Sequence, residues 1–224
     1  MKKSTFLAGA AVIGAVATLV TVNLKLKAEY NKGNMKNPYT ITKLAAFKYI
    51  KVVFDSTSRN GEEFKINISK DAEYSIGTYY SERTKLISKV SNDTLIITND
   101  PFDKDHYSLA DAVIITAPEL KSIDVTKGYY IIKQDNTESF SVSANKDSRV
   151  ELKLMKTNLL IVNASDKASI NVSAKDTVNQ ASIQLNDKSS FDANHVIIRQ
   201  KKLQLGDSAT LHLRGRSMKD FGVQ

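Results

Sequence analysis

Residues Asn163–Ala174 read NASDKASINVSA, and nearly the same phrase returns as LNDKSSFDAN from Leu185 and as LGDSATLHLRG from Leu205. Aligned on their apolar residues, the phrases share one template: two alternating apolar positions, five intervening residues, then two more alternating apolar positions. Its copies are Val142, Ala144, Val150, Leu152; Val162, Ala164, Ile170, Val172; Ile183, Leu185, Phe191, Ala193; and Leu203, Leu205, Leu211, Leu213. In each copy the first and third positions are 8 apart, and successive copies begin 20, 21 and 20 residues apart. Alternation turns one face of each strand inward, and a two-strand unit is too small to bury that face alone. Units stacked at ~4.8 Å align equivalent apolar residues into one continuous core.

The pattern predicts an all-β fold, a parallel β-solenoid with coils of about twenty residues. The segments NKDSR, SDKAS, NDKSS and GDSAT are its corners. Asp147, Asp166, Asp187 and Asp207 fall there because Asp bonds its own backbone and tolerates turn dihedrals, and they are expected to stack at an exposed edge. An antiparallel sandwich of hairpins is the rival, since a five-residue gap also suits a hairpin loop. Ile123, Val125 and Ile131 make a partial earlier copy with Lys133 in its fourth slot, and Ile66, Ile68, Tyr74 and Ile76 make another around SKDAE. TLIITND and DAVIITAPEL read as strands, PFDKDHYS as the loop between them, and Pro118 belongs at a strand end.

Composition narrows the function classes. The chain of 224 residues is 42% hydrophobic with 3 Pro and 9 Gly, which suits a single folded β domain with a small appendage. Lys2, Lys3, Lys25 and Lys27 account for half of the net charge of +8, leaving 28 bases against 24 acids beyond residue 28. With no basic patch interleaved with aromatics, no nucleic-acid partner is expected. The absence of cysteine removes disulfides, thiolate catalysis, thiolate metal sites and lipid modification of a cysteine.

The N-terminus carries a basic start and an uncharged run, Phe6–Val22, of 17 residues. That length sits at the lower edge of a membrane-spanning helix and exceeds a signal-peptide core. A cleavage site ending at Ala28 would place Leu26 and two lysines in the cleavage region, so an uncleaved anchor is favoured over a cleaved signal peptide and over a buried helix. Lys2 and Lys3 would hold the tail in the cytoplasm, with the remainder outside. The expected organisation is residues 1–28 as signal anchor or signal peptide, 29–43 as linker, 44–215 as the β-solenoid domain and 216–224 as a tail.

The segment VIITAPELKSIDVTKG is a strand ending in Pro, then EL, then an alternating strand into a Gly turn. It resembles the head GIN domain family of auto-transporter adhesins, and AFKYIKVVFDS, EFKINISKDAEYSI and DTLIITND look like that family's earlier strands. The resemblance covers roughly residues 44–215. The family's glycine-rich turns survive here only as Gly128 and Gly206. The resemblance implies a right-handed solenoid on the outer side of a bacterial membrane.

No catalytic, cofactor-binding or metal residues are assigned. His106, His195 and His212 read as surface histidines, and neither His195 nor His212 has a ligand pair at metal spacing. The corner aspartates lie beside Lys146, Lys167 and Lys188, which suits solvated turns better than a calcium ladder. Asp192, Arg199, Arg214 and Arg216 could be combined into a lyase-like carboxylate and base set, but short turns leave no cleft for a polymer. The tyrosines of GTYYSER and KGYYIIK suit core or edge positions better than a stacking platform. The expectation is a non-enzymatic, membrane-tethered envelope module, adhesin-like, for binding or scaffolding a glycan or protein ligand, with no cofactor. The alternatives are an envelope-stress sensor acting with a membrane partner, or a polysaccharide-cleaving enzyme.

Overall fold

The computed structural model describes residues 14, 16–28, 39–53, 63–79, 86–99, 112–175, 177–194, 196–214 and 217. The chain divides into two compact units, Met1–Pro38 and Tyr39–Gln224. In the first, residues 16–28 are helical. Among the described residues no helix is long and apolar enough to cross a membrane; the expected anchor Phe6–Val22 begins outside them.

Apart from Ser217, which is helical, the regular structure among the described residues of the second unit is β. Its opening strands are β1 (Tyr39–Lys43), β2 (Tyr49–Val53), β3 (Glu63–Lys70), β4 (Ser75–Tyr79), β5 (Leu86–Ser91), β6 (Thr94–Asn99) and β7 (Ala112–Ala117). Then follow β8 (Ser122–Thr126), β9 (Tyr129–Gln134), β10 (Thr137–Asn145), β11 (Arg149–Leu154), β12 (Thr157–Ala164) and β13 (Ser169–Ala174). The last four are β14 (Val178–Leu185), β15 (Ser190–Asn194), β16 (Ile198–Leu205) and β17 (Thr210–Arg214). They form a nine-stranded sheet, β1-β4-β7-β3-β9-β11-β13-β15-β17, and an eight-stranded sheet, β16-β14-β12-β10-β8-β2-β6-β5. β1 occupies the end of the stretch expected to be linker, because Lys43 pairs across β4 and its ammonium meets Glu73 at 2.9 Å.

From β8 onward, successive strands alternate between the sheets, and every pairing among them is parallel. This excludes the sandwich of hairpins for that half. The four repeat copies stand in the register that the sequence predicts: Val142, Val162, Ile183 and Leu203 form one column, and Leu152, Val172, Ala193 and Leu213 another. The inward side chains of the first three copies are essentially inaccessible to water, whereas Leu205 in the last is 50% exposed. Among the described strands β16 and β17 end the two sheets on this side.

The earlier copy is shifted by one residue. Val150 pairs with Tyr130 and Leu152 with Ile132, so Tyr130, not Ile131, fills the column, and Lys133 is an outward residue rather than a defect. The corner here is one residue shorter, turning through Lys127 and Gly128 with φ of 56° and 89°. Tyr130 is fully buried, its ring edge-on to Phe64 at 6.2 Å and its hydroxyl donating to the Thr126 carbonyl at 3.1 Å. Burial holds its phenol protonated far above the ordinary range, with Asp124 adding to the effect.

The SKDAE copy is not a repeat corner. β3 and β4 lie in the same sheet with β7 between them, parallel to β3 and antiparallel to β4. An alternating pattern fixes which residues face inward but leaves open which strand lies beside which. The layer made by β2 and β3 is inserted out of order, between β6–β7 on one side and β8–β9 on the other.

In three of the four repeat corners two non-glycine residues take positive φ, Lys146 and Asp147 (54° and 59°), Asp166 and Lys167 (52° and 65°), Asp187 and Lys188 (50° and 62°), whereas in the last only the non-glycine Ser208 does (63°). Carbonyl-to-amide bonds close the turns from Asn145 to Ser148, Ser165 to Ala168 and Asn186 to Ser189. Lysine has no side-chain bond to offset the left-handed conformation. Lys167→Gly should therefore raise stability by about 1 kcal/mol in chemical denaturation, with Asp166→Asn shifting it by less than about 1 kcal/mol. Val172→Asp buries an unpaired charge and should cost about 3–5 kcal/mol in the same measurement.

Candidate functional site

The inserted layer borders a cleft in the described fold. β7 ends at Ala117 in the nine-stranded sheet, and the chain must pass the β2–β3 layer before joining the eight-stranded sheet at Ser122. Pro118 follows the strand directly, where its missing donor costs nothing. The crossing, Pro118–Lys121, is tied down by backbone bonds: Lys121 donates to the Lys48 carbonyl at 2.8 Å and accepts from Ser141 at 2.9 Å. Leu120 is buried beneath it at 5% exposure.

Between this crossing and the turn from β9 into β10 lies an open cleft of about 730 Å³. Tyr49 and Leu120 supply apolar lining, and Lys70, Lys121, Glu119 and Glu138 supply two charges of each sign. Hydroxyls and amides from Ser122, Asn136, Thr137, Ser139 and Ser141 complete the rim. Gln134 also lines the cleft, 4% exposed. Its column runs Ile115, Ile68, Gln134, Leu154, Ala174, so a carboxamide stands where its neighbours are aliphatic. Its Oε1 is buried without a hydrogen-bond partner, and its Nε2 reaches the Asp135 carbonyl at 3.4 Å, a marginal bond. The alternation of β9 predicts that Gln134 faces inward; its contact with the cleft depends on the out-of-order layer and is not written in the local pattern.

The residues singled out in the sequence do not meet there. Asp166, Asp187 and Asp207 form one corner column headed by Lys146, whereas Asp147 sits one position later above Lys167 and Lys188. The four aspartates therefore do not stack as one ladder: the first copy places Lys before Asp and the next two place Asp before Lys. Asp147 donates its backbone N–H to the Asp166 carbonyl and Lys167 to that of Asp187, both at 2.9 Å. Among the described residues no group of three His, Asp or Glu side chains is arranged to hold a metal.

Asp192 and Arg214 do come together, 3.0 Å apart on adjacent strands with His212 in register opposite Asp192. Arg199 is on β16, in the other sheet. His106, His195 and Arg216 lie outside the described residues. Tyr129 and Tyr130 point to opposite faces: Tyr130 enters the core, while the Tyr129 hydroxyl donates to Glu151 at 2.5 Å beneath the Arg149 guanidinium, 5.3 Å from the ring centre. They form no platform.

The class defined by the described strands is a two-sheet β stack with a lateral cleft. Residues 42–216 match the family described as "putative auto-transporter adhesin, head GIN domain", and the chain belongs to that family. The family is described by adhesion, not by an enzymatic reaction. Similar solved structures include a putative adhesin from Bacteroides fragilis, 15% identical, covering 79% of this chain and 96% of that one with a TM-score of 0.38. Another, from Parabacteroides merdae, is 12% identical, covering 79% and 95% with a TM-score of 0.45. A putative lipid binding protein from Parabacteroides distasonis is 14% identical, covering 79% and 94% with a TM-score of 0.43. Comparison with curated proteins gave no match.

An unpaired buried acceptor costs about 1–3 kcal/mol. Gln134→Leu, which matches Leu154 and Ile68 in its column, should raise the thermal midpoint, whereas Leu154→Gln should lower it. A lower midpoint for Gln134→Leu would mean that the carboxamide is satisfied in solution.

Proposed function

We propose that the protein is a non-enzymatic module of the bacterial cell envelope, tethered by its N-terminal helix and displaying a right-handed parallel β-solenoid that binds a ligand in the crossover cleft. The parallel registers at intervals near twenty residues support the solenoid form. The family's description supports an adhesin-like role at the cell surface.

The observation that carries the tether is the character of the helix. Val16, Leu19, Val20, Val22 and Leu24 are 47–64% exposed, an arrangement that water penalises and lipid favours. The Thr18 and Thr21 hydroxyls donate to the Gly14 and Ala17 carbonyls at 2.8 Å, so neither is left unsatisfied in an apolar medium. Lys2 and Lys3 before the apolar run favour a cytoplasmic N-terminus, which puts the β unit outside the cytoplasmic membrane.

Full-length protein expressed in a bacterium should remain in the membrane pellet after a carbonate wash, with an N-terminus at Met1 or Lys2. Protease added to spheroplasts should attack the β unit. Recovery in the soluble fraction with an N-terminus at Glu29 would replace the tether with a cleaved signal peptide.

A further inference from the structure

Gln134 gives the crossover cleft a buried, unpartnered acceptor. Ser148, Thr157 and Asp192 also bury an oxygen without a partner, but none of them lines the cleft. A glutamine within an aliphatic column opposes folding unless something donates to its Oε1. The cleft beside it is open, and its charged rim residues make no ion pair among the described residues.

The lining restricts what enters. Lys70 and Lys121 balance Glu119 and Glu138, so neither an anionic nor a cationic ligand is selected by charge. Hydroxyls and an amide dominate the rest of the rim, and Tyr49, 41% exposed, offers an aromatic face beside them. An extended peptide would need a free strand edge for backbone pairing. Here β2, β3, β8, β9 and β10 are each paired on both sides. The volume of about 730 Å³ falls within the range of small-ligand sites.

We propose that the crossover cleft binds a neutral saccharide, with rotation of the Gln134 carboxamide bringing its Oε1 to accept a hydrogen bond from a sugar hydroxyl or acetamido N–H, and Tyr49 packing against the ring. This rests on the reading of the β unit as a binding module and adds the chemical class of its ligand. Sugar rings combine apolar C–H faces with many donors and acceptors, which matches an aromatic wall flanked by hydroxyls and one buried acceptor.

Full-length protein in detergent micelles would be applied to an array of neutral oligosaccharides, anionic oligosaccharides and acetylated tripeptides. Neutral oligosaccharides should be retained. Calorimetric titration of the strongest binder should show about tenfold or greater weakening for both Gln134→Leu and Tyr49→Ala. Gln134→Leu should melt at or above the wild-type temperature, which separates lost binding from lost folding. Asp187→Asn, at the distant corner, should bind as wild type does. Retention of tripeptides or anionic oligosaccharides alone, with binding lost in Tyr49→Ala, would overturn the saccharide assignment and leave the cleft as the binding site. Saccharide binding undiminished in both cleft variants would overturn the assignment and the cleft together. Retention of none of the three classes would overturn the binding module itself.

Discussion

In-register stacking of inward apolar side chains is the constraint on which the rest of the molecule depends. Each layer contributes four or so such residues, too few to bury one another, so a layer gains stability only by lying against the next at strand spacing. Columns such as Ile66, Ile132, Leu152, Val172, Ala193, Leu213 follow. Register then dictates the corners, because the chain must leave one sheet and enter the other at the same height in every copy. Three corners meet that demand with left-handed pairs of Asp and Lys rather than glycine, which keeps an exposed edge charged at some cost in backbone strain.

The C-terminal half of the fold is legible in the sequence because each residue there obeys both the alternation and the repeat. The template finds every column of the last four copies. It loses register at Tyr130, where a shorter corner through Gly128 shifts the frame by one and a buried aromatic with a polar tip reads like an edge residue. It also stacks Asp147 with the wrong neighbours, since Asp-Lys and Lys-Asp look alike when only composition is compared. The N-terminal half is less legible for a deeper reason. Strand patterns specify faces and not neighbours, and the insertion of β2 and β3 between later layers leaves no local trace.

The cleft arises from that same non-sequential order. A chain threading its layers in simple succession would need no Pro118–Lys121 crossing and would leave no gap beside the β9–β10 turn. Gln134 breaks the apolar rule of its column at the one height where this gap opens, the kind of local conflict that folded proteins retain where something other than stability is at stake. Neither His212 nor the corner aspartates, nor Tyr79, Tyr129 and Tyr130, line the cleft. The APEL segment that carries the family resemblance supplies the crossing, so the stretch most diagnostic of family is also the wall of the candidate site.

The central claim is that equivalent residues of successive copies lie side by side in parallel strands. The chain contains no cysteine, so one engineered pair reports without interference. Ser143 and Asn163 are register partners on β10 and β12, at a spacing of about 5 Å that suits a disulfide. Mild oxidation of the folded Ser143→Cys, Asn163→Cys double variant should close an intramolecular bridge with complete loss of free thiol. In a hairpin turning at Lys146 and Asp147, Ser143 would face Val150 instead. Two persistent free thiols in a variant that melts like the parent protein would contradict the stacked register.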